Sequence, residues 1–294
     1  MNTKRIVTMA IVVALVALPA LAQQAVNERR SASPAGTVEI SNIAGSVRVI
    51  GWDKGEVEVT GTLGRGTERL EFSGPPERIL VKVVVPEHTR DLKGSDLTVK
   101  VPAGCRLEAE TVSATLTVEG VTGALNLDSV SGEITVTGEP DEVEAESVSG
   151  DVDVTAKSAT MRLASVSGSI RARGARGEVT VETVSGNATV DAAAVDRVEL
   201  ESVSGTVRFT GDLSANGRLE AGSVSGTVDI ALPAGIGATF RLESFSGEID
   251  NGFGPPARRT AEYGPGVEAD FTTGTGGARV DVETMSGSII LRKR

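Results

Sequence analysis

The stretch AESVSGDVDV occupies residues 145–154, and close copies of its core recur along the chain. The copies share a Ser/Thr-Val-Ser-Gly core followed by alternating apolar residues; they are SVSGEITV (129–136), SVSGSIRA (165–172), TVSGNATV (183–190), SVSGTVRF (202–209) and SVSGTVDI (223–230). A short sequence repeated this often indicates architecture, because each copy supplies one unit of a stack.

The glycines of the core are regularly spaced. Successive intervals are 18, 18, 18, 19, 21 and 21 residues, for Gly132, Gly150, Gly168, Gly186, Gly205, Gly226 and Gly247. Gly45 in NIAGSVRV and Gly287 in TMSGSIIL are interpreted as outlying copies. An internal period near 20 residues is typical of a solenoid.

Apolar residues alternate within each unit. In one unit, Leu125 and Leu127 alternate in phase with Ser129. Val130 then begins a second alternation, in phase with Ile134. Alternation with a period of two predicts strands, and a phase slip between Ser and Val predicts a corner that keeps both sets inside. We therefore predict an all-β fold, a parallel β-helix or β-solenoid with coils of about 18–21 residues.

The recurring serine is interpreted as structural. A small inward hydroxyl fits a crowded corner and can bond to nearby backbone, and the inward glycine leaves room where the chain bends. A nucleophilic serine needs a general base, and no His or Lys recurs with the motif. The sequence therefore predicts no catalytic residues and no cofactor.

Residues 1–22 are predicted to be a signal peptide. Lys4 and Arg5 precede an apolar run that ends at Ala20-Leu21-Ala22, a small-residue cleavage signal. An uncleaved anchor is the alternative. No later stretch approaches the roughly 20 apolar residues of a membrane span, so we expect an exported protein of the periplasm or cell surface. Losing two basic residues takes the net charge from −11 to −13, which disfavours nucleic acid as a partner.

The remaining chain is predicted to be organised around one solenoid domain at 36–294. Residues 23–35 are polar and are expected to form a flexible lead-in. Residues 61–100 are less regular and are predicted to be capping strands. Residues 251–279 are expected to form a protruding insertion, and 292–294 a solubilising tail.

An acidic surface is predicted beside the corners. Carboxylates precede the corner serines and threonines at outward positions, and we propose as an interaction surface Glu110, Asp128, Glu146, Glu182, Glu201 and Glu243. Stacked like charges repel, so screening, nearby arginines or bound cations must offset them. A solvated acidic face is the simplest interpretation; calcium or a basic partner are the alternatives.

A second candidate surface lies in the loop at 251–266. Its Phe253, Arg258, Arg259 and Tyr263 combine basic and aromatic character on an acidic, aromatic-poor protein, and such residues anchor interfaces. The alternative is an insertion whose Phe packs on the solenoid.

Two residue types that often build metal sites each occur once. Cys105 lies in the inward register, two residues before Leu107, which predicts a buried, inert thiol. His88 lies in a polar, turn-like stretch with no second His or Cys nearby. No metal site is expected.

Several motifs resemble the bacterial DUF4097 family, described as candidate adhesins with a β-strand repeat. They are the TVSG/SVSG units, VPAG at 101–104, LPAG at 232–235 and the closing VETMSGSIILRKR at 282–294. The resemblance covers about residues 36–294 and implies an exported or envelope-associated solenoid without established enzymatic activity. It supplies no catalytic residues.

The function predicted from these features is a non-enzymatic scaffold or adhesin-like binding module of the cell envelope. Its partner would be an envelope protein or a surface ligand of unknown identity. One alternative is a carbohydrate-active enzyme on a β-helix, with carboxylate pairs such as Glu199 with Glu201 or Glu108 with Glu110. Another is an accessory protein of an envelope-stress sensor.

Overall fold

The computed structural model describes residues 24–86, 92–260 and 265–294. Regular structure in these ranges consists of strands, and no helix in them is long and apolar enough to cross a membrane. The first eleven strands are β1 (Gln24–Ser31), β2 (Thr37–Trp52), β3 (Glu56–Leu63), β4 (Arg69–Ser73), β5 (Arg78–Val84), β6 (Ser95–Pro102), β7 (Arg106–Glu119), β8 (Leu125–Ser129), β9 (Ile134–Gly138), β10 (Glu142–Ser147) and β11 (Val152–Ala156). The others are β12 (Thr160–Ser165), β13 (Ile170–Thr183), β14 (Ala188–Ser202), β15 (Thr206–Ser223), β16 (Thr227–Leu232), β17 (Ala238–Ser244), β18 (Ile249–Asn251), β19 (Arg258–Arg259), β20 (Val267–Thr272), β21 (Ala278–Thr284) and β22 (Ile289–Lys293).

The repeats stack in parallel, each contributing strand segments to two faces. On the first face, β8, β10 and β12 lie side by side, so that Ser147 pairs with Ser129 on one side and Ser165 on the other. On the second face, β9, β11 and β13 place Val152 between Ile134 and Ile170. The predicted parallel solenoid is confirmed.

An aliphatic column fills the space between the faces. Leu125 and Leu127 are buried on the first face, and Ile134 and Val136 on the second. Because successive side chains of a strand point to opposite sides, the residues between them face outward. The core is continuous along the stack and consists mainly of Val, Ile, Leu and Ala.

Cys105 lies in this column and is fully buried, as its register predicted. Burial raises the pKa of its thiol to about 12. The thiol therefore stays protonated at neutral pH, where a thiolate is the reactive form. His88 falls outside the described residues.

Hydrogen bonds at the corner explain the repeated Ser-Val-Ser-Gly. The first hydroxyl points inward and accepts a hydrogen bond from the glycine N–H three residues later, at 2.8 Å for Ser147 and Gly150. Six further corners repeat this bond at 2.8–3.0 Å; their hydroxyls belong to Ser129, Ser165, Thr183, Ser223, Ser244 and Thr284. A Cβ on Gly150 would lie 2.0 Å from the carbonyl oxygen of Gly132 in the coil below, which excludes a side chain there.

The corner turns its valine outward, contrary to the predicted phase. Ser147 and Gly150 are buried, whereas Val148 and Ser149 between them are exposed. The phase slip therefore lies between Val and the second Ser, because the chain bends through two outward residues. The backbone N–H of Val148 donates to the preceding coil at Ser129 O, at 3.1 Å.

Stacking order departs from chain order at the C-terminal end. β21 pairs with β15 on one side and β17 on the other, and β22 likewise lies between β16 and β18. The coil at 278–293 is therefore intercalated between two coils that precede it in sequence. β20 continues the first face antiparallel to β17.

A buried ion pair connects the intercalated coil to its neighbours. Asp229 on β16 accepts hydrogen bonds from Arg208 Nε at 3.0 Å and from Arg292 Nε at 2.8 Å. The Asp229 side chain is only 6% exposed. The prediction of a solubilising tail at 292–294 was therefore wrong, because Arg292 and Lys293 belong to β22 and Arg292 neutralises a buried carboxylate.

The N-terminal end shows a similar inversion. β2 lies between β7 on one side and β5 and β6 on the other, although β5 and β6 come between β2 and β7 in the sequence. β4 pairs with β5. On the second face, β3 lies antiparallel to β6, and β1 lies antiparallel to β3 at the outer edge. Residues 24–31 thus form an edge strand, not the flexible lead-in expected from their polarity, because strand pairing through the backbone does not require apolar side chains. Glu58 on β3 is buried, and its hydrogen bond from Lys100, at 2.8 Å, lowers the pKa of its carboxyl.

Candidate functional site

An apolar stripe runs along the corner edge of the stack. It consists of the large hydrophobic side chains that remain exposed in the described ranges, which in stacking order are Val112, Val130, Val148, Val166, Val184, Val203, Val224, Met285 and Phe245. The valines are 43–47% exposed, Met285 61% and Phe245 64%. At about 4.8 Å between strands, nine side chains extend over roughly 38 Å.

An acidic row runs beside the apolar stripe, two residues earlier in each coil. The row contains Glu283 and, on β20, Glu268. Its other members are the six carboxylates predicted as an interaction surface: Glu110, Asp128, Glu146, Glu182, Glu201 and Glu243. Row and stripe together line one groove of about 1360 Å³, which we call the corner groove. Ala164 and Gly222 interrupt the row.

Asp128 shows the electrostatic cost of this arrangement. Its carboxyl is partly buried, and burial is the largest cause that raises its pKa. The neighbouring charges of Glu146, Glu110 and Glu144 raise the pKa further. A cationic group placed in the groove would therefore relieve an unfavourable interaction.

Replacing Asp128 with Asn is expected to raise the unfolding temperature at pH 7. A carboxyl with a higher pKa in the folded state binds its proton more tightly there, so its ionisation destabilises the fold. That cost is lost as the pH falls through the raised pKa towards the unfolded value of about 3.9. Thermal melts at pH 7 and about pH 3.5 test this, with Asp250→Asn on exposed β18 as the control. An equal gain for Asp128→Asn at both pH values would contradict it.

The acidic row does not form a metal cage. No group of three or more His, Cys, Asp or Glu side chains in the described ranges is arranged to hold a metal ion. Parallel stacking places the carboxylates in a line, whereas calcium requires six to eight oxygens around one point. The calcium alternative therefore finds no geometric support among these residues.

The predicted loop surface lies at one end of the corner groove. Phe253 packs on the outer coil with its ring 5.4 Å from Phe240, and Lys293 Nζ lies 5.4 Å from the Phe253 ring centre. Arg258 forms an ion pair with Glu268 at 3.0 Å. Arg259 is exposed on β19. The structure thus joins Arg258 to the acidic row through Glu268, while Phe253 faces the outer coil; Tyr263 lies outside the described residues.

The sequence pattern of one protein family, Toastrack DUF4097, matches residues 31–292. The chain belongs to this family. The family resemblance carried by the SVSG units is thereby confirmed. No protein of curated function matches the chain significantly.

Several solved structures resemble this Toastrack chain at low identity. A candidate adhesin from Bacteroides fragilis NCTC 9343 is 9% identical, covering 92% of this chain and 98% of its own, with a TM-score of 0.41. A candidate cell adhesion protein from Clostridium sporogenes ATCC 15579 is 12% identical, covering 92% and 100%, with a TM-score of 0.25. A candidate lipid-binding protein from Parabacteroides distasonis ATCC 8503 is 13% identical, covering 92% and 96%, with a TM-score of 0.39. No functional conclusion follows from them.

The apolar stripe of the Toastrack stack was missed by the sequence prediction. The repeated valine was placed in the same phase as the buried Ile134, whereas Val130 is 47% exposed. One signal was available: the residue after the inward Ser or Thr is as large as Phe245 in SFSG and Met285 in TMSG, although the corner was predicted to be crowded. Single exposed apolar residues are common, whereas a contiguous row of them is typical of an interaction surface.

Proposed function

We propose that this protein is a non-enzymatic, exported binding module that acts as a scaffold or adhesin-like protein of the cell envelope, with the corner groove as its binding surface. The observation that carries the proposal is the apolar stripe. Soluble proteins rarely expose long contiguous apolar surfaces unless these contact a partner or ligand. Export itself rests on the predicted leader at 1–22, which lies outside the described residues.

The chemistry of the corner supports binding over catalysis. Seven of the inward hydroxyls accept hydrogen bonds from glycine N–H groups, as Ser147 does from Gly150. Phe245 is the one aromatic side chain among the described residues that line the groove, whereas sugar-binding clefts commonly use aromatic faces. The carbohydrate-active enzyme remains testable by screening turnover of acidic and neutral polysaccharides. Crosslinking in intact cells tests the accessory role at a stress sensor.

Replacing Val148, Val166 and Val184 together with Ser is expected to weaken retention of residues 23–294 on envelope fractions of the host cell by about tenfold. Each valine removed from a contact forfeits part of the roughly 1.5 kcal/mol or more gained by burying it. The measurement is co-sedimentation over a range of protein concentrations.

The matched control replaces three outward residues of the second face, Thr117, Thr135 and Thr189, with Ser. These side chains lie on the same coils or their close neighbours but not in the groove. Unchanged retention of the valine variant, or an equal loss in the threonine control, would contradict the proposed function.

A further inference from the structure

We infer that the corner groove binds a basic amphipathic helix of a partner protein. This inference rests on the proposed function, because it names the occupant of the same surface. Three features of the groove select this occupant: its charge, its backbone hydrogen bonds and its straight, one-sided pattern of apolar and acidic side chains.

The negative charge of the groove favours a basic helix over other apolar occupants. The acidic row runs along the stripe from Glu110 to Glu283 and Glu243, and the protein carries a net charge of −11. A second copy carries the same net negative charge, and antiparallel docking of two stripes would also bring the two acidic rows together. An anionic lipid surface would be repelled as well. Lysine and arginine side chains of a partner would instead neutralise the crowded carboxylates around Asp128.

The hydrogen-bonded backbone of the corners favours a helix over an extended strand as the occupant. At the corner, Val148 N donates to Ser129 O at 3.1 Å and Ser149 N to Val130 O at 2.9 Å. Val166 N and Ser167 N of the next coil donate in turn to Ser147 O and Val148 O, both within 3.1 Å. A strand laid in the groove would find these groups already paired, whereas a helix satisfies its own backbone.

The pattern of the groove fits one side of a helix. Apolar residues at i, i+3, i+4 and i+7 form a stripe along a helix, and the flanking positions can carry basic residues. A helix of 21 residues is about 32 Å long, within the roughly 38 Å of the stripe. The acidic row flanks the stripe on one side, and exposed serines such as Ser149 follow it on the other.

The experiment uses four synthetic 21-residue peptides and purified residues 23–294. The first is an amphipathic Leu/Lys/Ala helix, and the second replaces its Lys with Glu. The third scrambles the first sequence so that Leu no longer forms a stripe, and the fourth places Pro at its centre. Binding is measured by fluorescence anisotropy at low and at physiological salt. The first peptide is expected to bind at least tenfold more tightly than each of the others.

Protein variants assign the binding to the groove. Glu146→Gln, Glu182→Gln and Glu201→Gln together should weaken binding of the basic helix at least fivefold and reduce its salt dependence. The charge-matched control is the triple variant Glu77→Gln, Glu133→Gln and Glu248→Gln, whose side chains are exposed and lie off the groove. The triple Val→Ser variant should weaken binding about tenfold.

The outcomes separate this inference from the proposed function. If the Glu peptide or the scrambled peptide binds as tightly as the first peptide, the inference of a basic amphipathic helix is wrong. It is also wrong if the two triple glutamine variants weaken binding equally. If the triple Val→Ser variant lowers envelope retention but no peptide binds, the inferred helical partner is wrong and the groove remains the binding surface. If Val→Ser leaves retention unchanged, the proposed function itself is wrong.

Discussion

Replacing Gly168 with Ala is expected to destabilise the protein by about 3 kcal/mol and to lower its unfolding temperature by several degrees. An added Cβ would lie 2.1 Å from the carbonyl oxygen of Gly150 and 3.0 Å from Ser165 Oγ. Both neighbours are fixed, the first by its place in the backbone and the second by its bond to Gly168 N, at 2.9 Å. The coil would have to lift away from the one beneath it, which disturbs a whole layer.

The matched control is Gly222→Ala, three residues after Leu219 on the first-face part of β15. No atom lies within 4 Å of a Cβ built at Gly222, and Ala164 occupies the equivalent position in another coil. Alanine there should leave stability unchanged or raise it by about 0.5 kcal/mol, because it lowers the conformational entropy of the unfolded chain. Urea unfolding of both variants tests the pair. Equal free energies of unfolding for Gly168→Ala and the unchanged protein would show that the layers are not in tight contact.

One corner already carries alanine at this position. Ala114 stands in the register of Gly132, and the coil beneath it contributes Gly45. Gly45 has a φ of +105°, in the region that favours glycine. The backbone therefore takes a different path at that corner, and the tolerance of Ala114 does not extend to Gly168.

Removing both arginines that contact Asp229 should produce the second large effect. In the variant Arg208→Met with Arg292→Met, the carboxylate of Asp229 stays buried without a cationic partner. Breaking a buried ion pair from one side typically costs 3–5 kcal/mol, and since both arginines are about half exposed, we expect about 3 kcal/mol.

Adding Asp229→Val to the two methionines should restore most of the lost stability. An apolar triad of similar shape often replaces a buried ion pair without loss, and Val suits a strand. Chemical unfolding of the double and triple variants measures the difference. A triple variant no more stable than the double would show that packing of the arginine stems, and not the unpaired charge, accounts for the loss.

Much of the fold followed from the sequence because period and alternation have direct structural meanings. The inward serines, the alternating leucines and the regular glycines all occupy their expected places. The direction of Val148 did not follow, since a corner of one residue and a corner of two residues produce the same phase change along the chain. The exposure of Val148, at 47%, decides between them in the structure.

The stacking order of the coils could not be predicted from the sequence either. Ser223 pairs with Thr284 in the structure, yet Ser244 presents the same kind of residue in the same register. Repeats with equivalent inward patterns can pair in any order, because alternation specifies register and not neighbour. The 40-residue interval between Gly247 and Gly287 was the one irregularity that marked the rearrangement. Six carboxylates of the acidic row were predicted from the sequence, whereas the place of Glu268 beside Glu243 and the apolar stripe depended on the folded structure.

The intercalated coil has a mechanical consequence. In a solenoid wound in chain order, tension on the final residue peels away an outermost strand, which is held by a single ladder of backbone hydrogen bonds. Here tension on the end of β22 is resisted by β16 and β18 together. The chain end is clamped from both sides, so an applied force must rupture two ladders before the first coil comes free.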